Sequence, residues 1–201
     1  MTSSRTLLVA AVLLLGAAAR GADATVDAEG FVVDWLMLAP FSIAEETGAD
    51  EIDKQQIAKE GELKPKAGEQ QKIGDKTGTW KAVHAKAYDL DFNDVLGTAN
   101  EDMVGYLVAY VVADKAMSGL TAAIGSNDQA KLYLNGKEIY KFAETRTIEK
   151  DSDKVQGVNL VQGVNTIVFK VINQKNDWAA ALRFLDAAGK PVTGLVVKTA
   201  P

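Results

Sequence analysis

The sequence predicts an all-β antiparallel sandwich of about eight to ten strands, carried by short apolar or alternating runs that recur at roughly 8–12-residue spacing. Two further observations support it. Turn-forming pairs such as Asn135-Gly136 and Asn127-Asp128 separate the runs, and no long segment shows the 3.6-residue periodicity of an amphipathic helix.

Taken in order, Phe31–Leu38 is an apolar run of strand length, rich in β-branched and aromatic residues, and Pro40 is expected to end it. From 42 to 78 the composition turns polar and charged, reading as an excursion over the surface with at most one short helix over Asp50–Lys59. Thr79–Val83 and Ala87–Leu90 read as strands. Between them and the next strand, Asp91 or Asn93 is placed to cap a single helical turn through Leu96. Met103–Ala113 is apolar on both alternating sets of positions, which predicts a central strand covered on both faces.

The second half is a series of short strands: Gly119–Gly125, Ala130–Leu134, Lys137–Phe142, Val155–Leu160, Asn165–Ile172, Trp178–Phe184 and Val192–Val197. Asn135-Gly136 is the strongest hairpin signal, because a type I′ turn needs positive φ at both central residues.

With 201 residues the chain fits a single domain. Residues 1–24 read as a signal peptide: Arg5, an apolar run from Leu7 to Ala19, then Ala22-Asp23-Ala24 with small residues at the cleavage positions. That run is too short for a membrane helix, which needs about 20 residues. Residues 25–201 are then one sandwich domain, exported to the periplasm or the extracellular space. Losing Arg5, Arg20 and Asp23 moves the formal charge from -5 by one further negative unit. A mildly acidic chain without clustered Lys and Arg argues against nucleic acid as a partner. There is no cysteine, so an exported fold must be stabilised by core burial without disulfides.

The run from Ile124 to Tyr140, followed by Gly163–Val171 and Asn176–Phe184, resembles the galactose-binding-like jelly-roll domains, which are similar to the sugar-binding domains of many secreted bacterial polysaccharide-degrading proteins. Trp35–Phe41 and Glu62–Gly68, leading to Thr79-Trp80-Lys81, look like the segment that precedes that jelly roll. The resemblance covers most of the chain after the signal peptide. It implies a jelly-roll fold, a carbohydrate or cell-surface glycan as partner, and a structural calcium at a sandwich edge as the one candidate cofactor.

Sugar recognition calls for an aromatic face and a few amides, carboxylates or guanidinium groups that bond the hydroxyls. The tract from Asn173 to Trp178 combines these in one loop, making Trp178, Asp177, Asn176 and Asn173 candidates, with Arg146, Asn127 and Asp128 in other loops. Trp80, Tyr133 and Tyr140 are further aromatic candidates, whereas Trp35 belongs to the core. Asp89, Asp91 and Asp94 are weak metal candidates, since their spacing starts like a calcium loop but lacks its glycine and its bidentate Glu. His84 is the only histidine and, with no cysteine, leaves little material for nucleophilic catalysis or a zinc site. The expected function is a non-catalytic exported sandwich that binds glycan weakly. The alternatives are an envelope module that binds another protein, and a small hydrolase using paired carboxylates.

Overall fold

The computed structural model describes residues 24–201, so the expected signal peptide lies outside the described residues apart from Ala24. The fold is an all-β sandwich. Its strands are β1 (Ala24–Thr25), β2 (Asp34–Ser42), β3 (Gln70–Ile73), β4 (Lys76–Thr79), β5 (Lys81–His84), β6 (Leu90–Asp91), β7 (Met103–Ala113), β8 (Met117–Asn127), β9 (Ala130–Leu134), β10 (Lys137–Phe142), β11 (Asp153–Leu160), β12 (Gly163–Asn173), β13 (Ala179–Leu185) and β14 (Val196–Lys198). Two short helices, α1 (Gly48–Glu51) and α2 (Phe92–Leu96), and one 3-10 turn at Glu60–Glu62 interrupt them. The strands with no counterpart among the expected runs are β1 and the separate β3–β4 hairpin.

β7 is the spine of the larger sheet. One edge pairs along its whole length with β12, from Gly163↔Ala113 to Asn173↔Met103, while the other is shared by β2 and β14. Beyond β12 lie β9 and β10, and β1 pairs with β14 so that Ala24 faces Val197. The smaller sheet runs β11-β8-β13-β6. The β9–β10 hairpin turns at Asn135 (φ 51°) and Gly136 (φ 84°), the two positive φ values that the sequence signals.

Alternation places Leu107, Ala109 and Val111 of β7 between the sheets with Phe169, Leu132, Ile124, Leu182, Phe184 and Trp35. The other set, Val104, Tyr106, Val108 and Tyr110, faces outward and is covered by Ile52, Ile57, Ile73 and Trp80 from the 42–80 segment. A side chain of this size stabilises by about 1.5–3 kcal/mol when fully buried. The segment expected to be a solvated excursion is therefore a strap packed over the larger sheet, and β7 is covered on both faces.

The strap also buries charge. Glu60 is 1% exposed, and its carboxylate accepts from the Tyr106 hydroxyl at 2.6 Å and the Tyr133 hydroxyl at 2.9 Å. Lys170 of β12, fully buried, donates to the carbonyls of Glu51 (2.9 Å), Ile52 (3.2 Å) and Lys54 and stands 3.6 Å from Glu60. It thereby caps the carboxyl end of α1, supplying a donor to the Glu51 carbonyl and to the carbonyls just beyond it. Lys131, opposite Lys170 on β9, pairs with Asp53 at 2.7 Å.

Several boundaries differ from expectation: β2 starts at Asp34 instead of Phe31, the strand expected over Ala87–Leu90 is only β6, and that expected over Val192–Val197 is only β14. β2 runs through Pro40, which lies in the register shift between Leu38 and Phe41, where the ladder requires no amide hydrogen from it. The helix expected over Asp50–Lys59 is the four-residue α1, ending where Lys170 meets its carbonyls.

Candidate functional site

β8 ends at Asn127 and the chain crosses to the larger sheet, where the Asp128 amide bonds the Ile172 carbonyl at 2.8 Å. This brings the β8–β9 turn beside the loop that follows β12. The segment after β10 lies against the outer face of the smaller sheet. Gly125 makes the approach feasible, since a Cβ there would stand 2.7 Å from the Glu149 carbonyl oxygen.

Asp128 is the hub of the three loops. One carboxylate oxygen accepts the Arg146 backbone amide and the other accepts the Gln174 backbone amide, both at 2.9 Å. Gln129 and Gln174 are joined side chain to side chain at 2.7 Å, and Lys175 reaches Glu46 of the strap at 3.1 Å. The Asn127–Asp128 peptide is cis.

Between these loops lies an open cleft of about 950 Å³. The β8–β9 turn contributes Asn127 and Asp128, and the segment after β10 contributes Thr145, Arg146 and Thr147. The loop after β12 adds Gln174, Lys175, Asn176 and Asp177, and the strap adds Glu46. All these side chains are polar, the volume lies within the range of small-ligand sites, and Asn127, although only 4% exposed, leaves its Oδ1 without a hydrogen-bond donor. A buried amide oxygen in that state costs about 1–3 kcal/mol until something donates to it.

Five sequence candidates, Asn127, Asp128, Arg146, Asn176 and Asp177, thus meet in one cleft. Arg146 anchors the loop: its guanidinium donates to the Ser126 carbonyl (3.0 Å), the Ser126 hydroxyl (2.7 Å), the Tyr140 hydroxyl (2.8 Å) and Asp153, and lies 3.9 Å above the Phe142 ring.

Trp178 and Asn173 are not in the cleft. Trp178 is fully buried and stacks on Phe92 with ring centroids 4.3 Å apart, so its face is not offered to a ligand. It directly precedes β13 and points into the core, where Gly105 leaves room for both rings. Asn173 is also fully buried, its amide donating to the Asn100 carbonyl. Trp80 is buried between the strap that carries it and the larger sheet, Tyr133 bonds Glu60, and the Tyr140 hydroxyl bonds Asp153 at 2.6 Å, so none of these three is presented to the cleft.

The metal candidates are dispersed into other roles. Asp91 caps α2 by accepting from the Asp94 amide at 3.0 Å, and Asp94 pairs with Lys86 at 2.7 Å. Burial pushes the Asp89 carboxyl above its ordinary pKa. Among the described residues no group of three or more His, Cys, Asp or Glu side chains is gathered to hold a metal. His84 pairs with Asp34 at 2.9 Å in a separate cleft beside β1.

Sequence reasoning passed over Thr145, Thr147 and Glu46. The two threonines flank Arg146 and were legible from it. Glu46 carries no local signal, because only the docking of the strap brings it to Lys175.

No family model matches the chain, and no curated protein matches it. Among solved structures, the chain is similar to the PA14 domain of the MpAFP antifreeze protein, with 11% identity over 85% of this chain and 74% of that one and a TM-score of 0.39. It is also similar to a PA14 sugar-binding domain from an RTX adhesin, with 9% identity over 85% of this chain and 100% of that one and a TM-score of 0.40. Among the described residues no helix is long and apolar enough to cross a membrane.

Proposed function

We propose that this protein is an exported, non-catalytic sandwich that binds carbohydrate weakly in the cleft between Asn127-Asp128, Thr145–Thr147 and Gln174–Asp177. The observation that carries the reading is a cleft lined by polar residues from four separate segments, among them Asn127, whose buried Oδ1 has no donor. Such a surface suits a ligand that is itself covered in hydroxyls. With no aromatic side chain among the lining residues, the binding rests on hydrogen bonds without the stacking that tightens many sugar sites.

Both oxygens of Asp128 already hold backbone amides, which supports a scaffolding role over that of a proton donor. Oxygen-rich linings also suit calcium, which takes carboxylate and amide oxygens, so the ion belongs in the test. Export follows the reading of residues 1–24, and a mature amino terminus at Thr25 checks it by N-terminal sequencing.

The test is a glycan array probed with residues 25–201, with and without calcium, alongside Asp177→Ala and the pair Thr145→Ala, Thr147→Ala. These three side chains are exposed, so the fold should survive their removal. Glycan retention lost in the variants is the expected result. No retention of any glycan overturns the reading and moves the function to a protein partner in the envelope.

A further inference from the structure

The cleft is unequal in what it offers a ligand. Three carboxylates, those of Glu46, Asp128 and Asp177, line it together with two cations, Arg146 and Lys175. The cations are already engaged. Every nitrogen of the Arg146 guanidinium donates to Ser126, Tyr140 or Asp153, and Lys175 is held by Glu46, which pushes its ammonium above the ordinary lysine pKa.

The acceptors are not all engaged. Asp177 is exposed, and among the described residues no ion pair or hydrogen bond reaches its carboxylate. Asn127 Oδ1 is buried without a donor. A ligand that completes this site must bring donors, and its favoured charge is positive. An anionic sugar would set like charge against Asp177 with no free cation in the lining to receive it.

Resting on the carbohydrate-binding reading above, we infer that the cleft selects saccharides carrying a protonated primary amine, such as hexosamine units with the free amine, and rejects uronates. The amine pairs with Asp177, and the ring hydroxyls meet the exposed Thr145 and Thr147. The site is open, so the discrimination is modest: roughly tenfold between the amine and its N-acetylated form, equivalent to about 1.4 kcal/mol.

The experiment titrates residues 25–201 with tetrasaccharides of glucosamine, N-acetylglucosamine and a hexuronate by calorimetry, repeated on Asp177→Asn and on Asp75→Asn. Asp75 is an exposed acid in the turn between β3 and β4 and serves as a control. The expected result is tightest binding of the amine, with Asp177→Asn bringing amine and N-acetyl forms to equal affinity and Asp75→Asn changing nothing. Equal binding of all three, tighter binding of the uronate, or an equal loss in Asp75→Asn overturns the inference and leaves the carbohydrate reading standing. If none of the three binds, the array separates the outcomes: retention of other glycans sinks the amine preference alone, and retention of none sinks both.

Discussion

The Lys170 ammonium lies 2.9 Å from the carbonyl oxygen of Glu51, 119 positions away, so a central strand caps the helix that lies across it. With Glu60 at 3.6 Å and two further carbonyls around it, Lys170 fixes the position of the strap, and the strap carries Glu46 to the cleft.

Lys170→Met keeps most of the length of the side chain and removes the charge, leaving the three carbonyls and Glu60 short of a partner. Breaking a buried pair from one side costs about 3–5 kcal/mol. The urea midpoint should fall accordingly, and amide exchange should accelerate first in residues 48–62.

Alkaline pH should destabilise the fold through its tyrosines. Burial is the largest cause holding Tyr106, Tyr110, Tyr133 and Tyr140 above the ordinary phenol value of 10.0, and the neighbouring Glu60 adds to it at Tyr106 and Tyr133. A raised folded pKa means stability that is complete below the unfolded value and is lost as pH climbs toward the folded one. Lys170 acts in the opposite sense: burial lowers its pKa, so stability rises between its folded value and the ordinary 10.5. Phenolate absorbance should therefore show these tyrosines ionising late in the native protein and together on unfolding. A native titration matching that in concentrated urea would contradict the burial of these hydroxyls.

Trp178→Ala removes a fully buried ring stacked on Phe92, and large-to-small changes of this kind cost about 3–5 kcal/mol. Its effect should appear in thermal unfolding. Glycan binding per folded molecule should fall far less than in Asp177→Ala.

Arg146→Lys retains the charge but not the planar fork that reaches Ser126, Tyr140 and Asp153 at once. A loss of about 1.5–3 kcal/mol is expected, the range for hydrogen bonds to charged groups. Faster amide exchange over 143–152 would locate the damage in the loop.

Much of the sandwich was legible because its signals are local. Met103–Ala113 announced a doubly covered strand by being apolar on both parities, and Asn135-Gly136 fixed the hairpin around it without reference to anything distant. The strap was not legible, since its Glu60 is one acid among many in a polar run. What buries it comes from Tyr106 and Tyr133, 46 and 73 positions away. Lys170 did carry a trace, a lone cation inside the apolar run Asn165–Ile172. In the cleft, loop residues could be nominated by type, but orientation could not: Asn176 and Asp177 face solvent while Trp178, the next residue, turns inward.

The pairing of Ala24 with Val197 bears on how this unit can be wired. Antiparallel partners sit about 5 Å apart, so the polypeptide enters and leaves side by side at one edge of the larger sheet. A sandwich with neighbouring ends can be spliced into a surface loop of a host protein without prying that loop open. By the same geometry, a short glycine-rich joint between the ends and a new opening at Asn135-Gly136 should yield a circular permutant with the same sheets.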